Sequence, residues 1–189
     1  MHGPSACAMV WPASRTPLQQ MKSRILRIAA LIALCAAPAP LLHSSTVRPV
    51  PAPAWKLKDL DGKVVTSDQF KGKVVVLDFW ATWCPPCRKE IPGYVMLQKK
   101  YGAEGLVIVG VSVDTDGPEA VRKFVKEMGI NYPIVMWDDE IVGAFAPIQG
   151  YPTTFIIDRE GRVRNKKLGR EPTDDYEKEI LAILRPPAA

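Results

Sequence analysis

A continuous apolar run that ends in two closely spaced cysteines constrains the fold of this chain most strongly. Residues 73–80, "KVVVLDFW", are rich in β-branched and aromatic side chains, which is typical of a strand covered on both faces. Cys84 and Cys87 follow this strand, and a helix is predicted from about Pro85 to Tyr101, with an internal proline as an expected kink at Pro92. The predicted fold is therefore built around a strand that leads through a cysteine pair into a helix.

Strand-like and helix-like segments alternate along the rest of the chain. Residues 55–66 have the pattern of a β-hairpin with a turn at Asp61-Gly62, and Gly residues are favoured at such turns. Further strands are predicted at 106–114, 133–139 and 153–158, a charged edge strand at 162–169, and helices at about 118–128 and 174–185. This alternation predicts an α/β fold with helices on both faces of a sheet.

The charged residues divide the chain into a basic leader and a nearly neutral body. Residues 1–45 contain four of the 25 basic residues and none of the 20 acidic ones, leaving 21 basic against 20 acidic in the remainder. A body with so little net charge argues against nucleic-acid binding. We expect one folded domain at 55–187, joined by a Pro-rich linker at 46–54 to a leader at 1–45.

The leader has the pattern of an export signal. From Met21, three basic residues precede ten apolar residues at 28–37, which is the length of the apolar region of a signal peptide and is too short to span a bilayer readily. The pattern predicts a periplasmic or other extracytoplasmic location. Translation could begin at Met1 or Met21, and the leader could be cleaved or retained as a membrane tether.

The cysteine pair has three possible roles, of which redox chemistry is favoured. A structural disulfide across two residues would remove little chain entropy. A tetrahedral metal site needs more Cys or His ligands, and the other two cysteines and both histidines lie in the leader. Cys84 would lie at the positive end of the helix dipole, which favours the attacking thiolate. We therefore assign Cys84 as the nucleophile and Cys87 as the resolving cysteine of a redox disulfide.

Two further features modify this chemistry. Asp78 lies within the apolar strand, where burial is expected to raise its pKa. It could accept the proton of Cys87, or it could pair with a lysine such as Lys73. Pro85 and Pro86 lack backbone N–H groups, which should limit the stabilisation of a Cys84 thiolate.

The segments "GKVVVLDFWATWCPPCRKEIP" and "GYPTTFIIDREGRV" resemble the TlpA/ResA-like thiol–disulfide oxidoreductases of the redoxin family. This resemblance implies a thioredoxin fold, with a central mixed sheet, an N-terminal hairpin and a helical insertion. It also implies that Pro152 is a cis-proline lying against the disulfide. The predicted substrate contacts are Trp83, Pro85, Pro86, Tyr151 and Thr153. They are what the resemblance implies, and Trp83 is also indicated by its position beside the thiols.

The resemblance also has departures. Many relatives have asparagine where this chain has Asp78. Some carry a glutamate just after the second buried strand, where this chain has Asp114 and Asp116, and neither aspartate can be assigned that role from the sequence.

The function expected from the resemblance is reduction of disulfides in periplasmic client proteins, such as cytochrome c or copper-site assembly factors. A membrane electron donor would re-reduce the cysteines, and no cofactor or metal is needed. One alternative is a copper-delivery or haem-handling module that uses both thiolates. A thiol peroxidase is less favoured, because Leu77 and Trp80 stand where its motif requires a proline seven residues before each cysteine.

Overall fold

A computed structural model of the protein describes residues 50–186. The predicted leader at 1–45, with its export signal or tether, and residues 46–49 of the predicted linker lie outside the described residues. The described segment forms one mixed sheet in the strand order β1-β8-β7-β4-β5-β6-β2-β3. The strands are β1 (Val50–Pro51), β2 (Lys56–Asp59), β3 (Val64–Thr66), β4 (Val74–Trp80), β5 (Leu106–Ser112), β6 (Ile134–Met136), β7 (Thr153–Ile157) and β8 (Arg162–Leu168).

Four α-helices connect and cover these strands. They are α1 (Pro85–Tyr101), α2 (Pro118–Met128), α3 (Asp139–Ala144) and α4 (Thr173–Leu184). Short 3-10 helices occupy Ser67–Phe70 and Gly102–Glu104. Helix α1 contains Pro92, and α2 lies between the parallel strands β5 and β6. The predicted α/β class, thioredoxin fold, hairpin and helical insertion are confirmed.

Strands β4 and β5 form the centre of the sheet, and every residue in both is buried. They pair in parallel, and β4 pairs antiparallel with β7 on its other side. Because neighbouring residues of a strand point to opposite faces, Asp78 and Trp80 share one face. Trp80 packs there against Phe124 of α2, whereas Phe79 packs on the other face against Phe145 after α3. Both faces of the sheet are therefore covered.

The start of the domain differs from its prediction. Residues 50–54 were predicted as part of a linker, yet Val50 and Pro51 pair with β8, and the Ala52 N–H donates to the Gly161 carbonyl at 2.9 Å. The folded domain therefore begins before Trp55. A strand of two residues is too short to show the alternation by which strands are recognised, and its proline is tolerated because it lies at the sheet edge.

Two other elements also differ from prediction. Strand β8 does not form the sheet edge, because β1 pairs with its outer side at Arg162 and Val163. Helix α3 was not predicted, and residues 137–139, which were assigned to a strand, lie outside β6. The Asp138 side chain caps α3 by accepting a hydrogen bond from the Ile141 N–H at 2.9 Å, an N-cap signal that the sequence did contain.

No helix within residues 50–186 is both long enough and apolar enough to cross a membrane.

Candidate active site

The two domain cysteines form a disulfide at the start of α1. The Cys84–Cys87 S–S bond is 2.06 Å long. Cys84 is the N-cap of α1, and its Sγ accepts a hydrogen bond from the Cys87 N–H at 3.3 Å. Cys84 is 4% exposed and Cys87 is fully buried. Cys84 is therefore the cysteine nearer the surface, and its role as the nucleophile stays a prediction.

An apolar surface lies next to this disulfide. The Trp83 side chain is 61% exposed and makes an edge-to-face contact with Tyr151, with the ring centroids 6.1 Å apart. The Tyr151–Pro152 peptide bond is cis, and the Pro152 carbonyl accepts a hydrogen bond from the Gly169 N–H at 2.8 Å. Because aromatic side chains are enriched at protein–protein interfaces, the Trp83–Tyr151 pair is a candidate surface for contact with a partner.

The remaining predicted contact residues, Pro85, Pro86 and Thr153, differ in their exposure to solvent. Pro85 is exposed and Pro86 half-buried at the start of α1. Thr153 is fully buried, and its hydroxyl donates to the Gly150 carbonyl at 2.6 Å. The Thr153 side chain therefore holds the loop before Pro152 in shape, and the role of Thr153 in substrate binding stays a prediction.

Asp78 lies on the central strand that leads to the cysteines. It is 2% exposed, and its Oδ1 accepts a hydrogen bond from the Thr154 hydroxyl at 3.0 Å, since the two residues are directly opposed in β4 and β7. Burial raises the pKa of Asp78 to about 7, although the Thr154 hydrogen bond opposes this shift. Lys73 is exposed, and none of the ion pairs found within residues 50–186 includes Asp78.

A second buried carboxyl, Glu90, was missed in the sequence. It lies on α1 one turn after Cys87 and is 6% exposed. The pKa of Glu90 is raised to about 9, mainly by burial and also by the nearby charge of Asp78, while Arg170 and Lys167 oppose the shift. Its position could have been found from helix periodicity, because Cys87, Ile91 and Tyr94 lie on the same buried face of α1.

Asp114 points inward and holds the loop before Cys84. Its carboxylate accepts hydrogen bonds from the Thr82 N–H at 3.0 Å, the Thr82 hydroxyl at 2.5 Å and the Ser112 hydroxyl at 2.7 Å. Asp114 is 3% exposed, whereas Asp116 is exposed. Asp114 therefore ties the end of β5 to the segment between β4 and α1, and Asp116 does not.

Replacing Asp114 with alanine should lower the stability of the protein. The substitution leaves the buried Ser112 hydroxyl and the Thr82 donors without their acceptor, and each such loss costs about 1–3 kcal/mol. We expect the free energy of unfolding in urea to fall by roughly 2–4 kcal/mol. Asp116→Ala is the matched control and should unfold like the wild type. Equal stability of the two variants would contradict this role of Asp114.

The described part of the chain contains no group of three or more His, Cys, Asp or Glu side chains arranged to hold a metal ion.

Comparisons with known proteins agree with this geometry. Residues 50–166 match the AhpC/TSA family. The thiol-disulfide oxidoreductase ResA of Bacillus subtilis is 40% identical over 112 residues, which cover 59% of this chain and 62% of that protein. ResA of Bacillus cereus is 37% identical over 128 residues, covering 67% and 72% of the two chains.

A solved structure matches over a larger share of its length. The thiol:disulfide interchange protein of the thioredoxin family from Chlorobium tepidum superposes with a TM-score of 0.68 at 37% identity, covering 72% of this chain and 97% of that one. The fold and the cysteine pair thus define a thiol–disulfide oxidoreductase with a thioredoxin fold. Among such proteins, this chain belongs to the AhpC/TSA family.

Proposed function

We propose that this protein works outside the cytoplasm as a reductant of disulfides in client proteins. The observation that carries the proposal is the placement of the Cys84–Cys87 pair beside the exposed Trp83 ring. A client segment can pack on this apolar surface and bring its disulfide to Cys84. Cytochrome c and copper-site assembly factors are the classes of client suggested by the family resemblance.

The reaction proceeds through a mixed disulfide. The Cys84 thiolate attacks one sulfur of the client disulfide, and the other client sulfur leaves with the electron pair. Asp78 then accepts the proton of Cys87, and the Cys87 thiolate attacks the Cys84 sulfur, which releases the client in its reduced form. The Asp78 pKa of about 7 suits this task, because a general base is most effective when its pKa is near the working pH.

The composition of the active-site loop supports the reducing direction. Strong oxidants of this chemistry have a reduced form that is stabilised relative to the disulfide. Here Pro85 and Pro86 supply no N–H groups at the first two positions of α1, so the Cys87 N–H is the first helical donor directed at the Cys84 sulfur. Weaker stabilisation of the Cys84 thiolate favours a dithiol that gives up its electrons.

Re-reduction and location complete the proposal. A membrane-bound electron donor would return the disulfide to the dithiol, and residues 1–45 would direct export, either as a cleaved signal or as a tether. Fusing residues 1–49 to a reporter enzyme that is active only outside the cytoplasm tests this location. Reporter activity supports export, whereas an inactive reporter at normal expression contradicts it.

Capturing clients tests the function itself. In a Cys87→Ser variant, the mixed disulfide between Cys84 and a client cannot be resolved, so clients should accumulate as covalent complexes that reductant releases. The control is the double variant that also carries Cys84→Ser and should capture nothing. Absence of reductant-sensitive complexes with the single variant would contradict client reduction.

A further inference from the structure

A small cavity lies on the side of Asp78 where β7, β8, α1 and α4 meet. Its volume is about 10 Å³, which is near the minimum needed to hold one water molecule. The polar residues that line it are Glu90, Tyr94, Thr154, Lys167, Glu171, Thr173 and Tyr176. The cavity is therefore both roomy enough and polar enough for a single water.

Four buried polar atoms of the cavity wall lack a hydrogen-bond partner among the described residues: the Glu90 Oε1, the Tyr176 hydroxyl, the Lys167 Nζ and the Glu171 Oε2. Lys167 and Glu171 form an ion pair with each other, which leaves the Glu90 Oε1 and the Tyr176 hydroxyl, in residues 6% and 3% exposed. An unpaired buried polar atom costs about 1–3 kcal/mol, so such atoms usually bind an ordered water. One water between them would satisfy both groups.

Hydrogen bonds connect the inner end of this cavity to Asp78. The Thr154 hydroxyl donates to the Asp78 carboxylate at 3.0 Å, and the Tyr94 hydroxyl lies 3.3 Å from the Thr154 hydroxyl. Since Thr154 uses its own hydrogen for Asp78, Tyr94 is the donor in the second bond. The Tyr94 and Tyr176 rings are in contact, with centroids 5.5 Å apart.

The outer end of the cavity reaches the surface at an ion pair. Lys167 pairs with Glu171 and, at 3.3 Å, with Glu179. Their side chains are 16%, 31% and 38% exposed, respectively, and the Lys167 ammonium lies 4.7 Å from the centroid of the Tyr176 ring. Charged groups that exchange protons with solvent therefore border the cavity.

We propose that the cavity binds one water molecule, and that this water completes a proton path from Asp78 through Thr154 and Tyr94 to the Lys167–Glu171 pair. The path rests on the proposed function, because the proton it carries is the one that Cys87 gives to Asp78 when the Cys84–Cys87 bond forms and the bond between Cys84 and the client breaks. The electron pair leaves with the client sulfur, which takes its proton from solvent. Asp78 then returns its own proton to solvent through the path.

Other ionisable groups near this path influence the charge it carries. Arg170 and Lys167 favour ionised Glu90, whereas the Asp78 charge disfavours it. The charges of Asp78 and Glu90 also act on Tyr132, whose pKa is raised well above its usual value mainly by burial. The Tyr176 hydroxyl borders the cavity and can be removed without altering a charge, which makes Tyr176 the residue to test.

The test is Tyr176→Phe in the full chain, with Tyr101→Phe as the matched control. Tyr101→Phe also removes a hydroxyl group, but this hydroxyl donates to the Glu177 carboxylate and lies away from the cavity. A proton path changes rates and leaves the equilibrium alone. Tyr176→Phe should therefore slow oxidation by glutathione disulfide and reduction by glutathione by the same factor, roughly tenfold. Its reduction potential should stay that of the wild type, and its solvent deuterium isotope effect should increase.

Four results would overturn the proposal. Three concern Tyr176→Phe: wild-type rates, a shifted reduction potential, and slowing without a larger isotope effect, since the last two indicate a structural role. The fourth is slowing of Tyr101→Phe by the same factor. If the wild-type protein exchanges disulfides normally, these results affect the proton path alone. If the wild type shows no exchange at all, the proposed function fails and the path fails with it.

Discussion

Replacing Cys84 with serine is expected to abolish disulfide exchange entirely. Cys84 is the more exposed sulfur of the pair, and the thiolate is the attacking species in exchange. A serine hydroxyl is not ionised near neutral pH and cannot form the mixed disulfide, so Cys87 alone, fully buried behind it, has no access to a client. The rate of insulin reduction by the full chain should fall to that of the uncatalysed reaction.

A matched control separates this effect from the general loss of a thiol. Cys35→Ser removes a cysteine from the predicted leader and keeps the Cys84–Cys87 pair, so it should reduce insulin at the wild-type rate. Substantial catalysis by Cys84→Ser would mean that Cys87 attacks clients directly, and the assigned roles of the two cysteines would then be reversed.

Replacing Asp78 with asparagine is expected to stabilise the protein at high pH. The folded-state pKa of Asp78 is raised from 3.8 to about 7 by burial. Between these two pH values, the unfolded chain has released the proton and the folded chain still holds it, so stability is greatest below pH 4 and is lost as the pH rises through 7. Each unit of pKa difference corresponds to about 1.4 kcal/mol, so the loss is on the order of a few kcal/mol.

Urea unfolding of the oxidised proteins at pH 4 and pH 8 measures this effect. Asp78→Asn should exceed the wild type in stability by a few kcal/mol at pH 8, and the difference should nearly vanish at pH 4. Glu90 keeps part of the pH dependence in both proteins, because its pKa is raised in the same direction. Asp61→Asn is the control: because Arg122 lowers the pKa of that exposed carboxyl, any stability that Asp61 contributes is lost toward low pH, opposite to the effect of Asp78. If the stability of Asp78→Asn and that of the wild type depend on pH in the same way, this prediction is wrong.

The central part of the fold could be predicted because its signal is local. Strands β4 and β5 are continuous apolar runs, and the end of α2 is marked by a glycine, Gly129, in the left-handed conformation, which is a common helix stop. The cysteine pair was predictable for the same reason, since its two members lie within one helical turn. In contrast, β1 has only two residues and obtains its pairing from a strand more than 100 residues away.

The surroundings of Asp78 could not be predicted, because they depend on contacts that are distant in sequence. Thr154 lies opposite Asp78 only through the antiparallel register of β4 and β7. Lys167 and Tyr176 belong to segments whose sequence patterns indicate a charged strand and an amphipathic helix, and nothing local shows that they approach Glu90. The sequence predicts the sulfur chemistry and the buried Asp78 carboxyl, while the partners of that carboxyl become visible only when the sheet is assembled.

The reduction potential of the Cys84–Cys87 pair tests the central claim most directly. The full chain can be equilibrated in glutathione buffers while the fluorescence of Trp80 and Trp83 reports the oxidised fraction. We predict a value near the roughly −270 mV of thioredoxin, which would make this protein a reductant in an oxidising compartment. A value near the roughly −120 mV of DsbA would show that it inserts disulfides into its clients, and would contradict the proposed direction of electron flow.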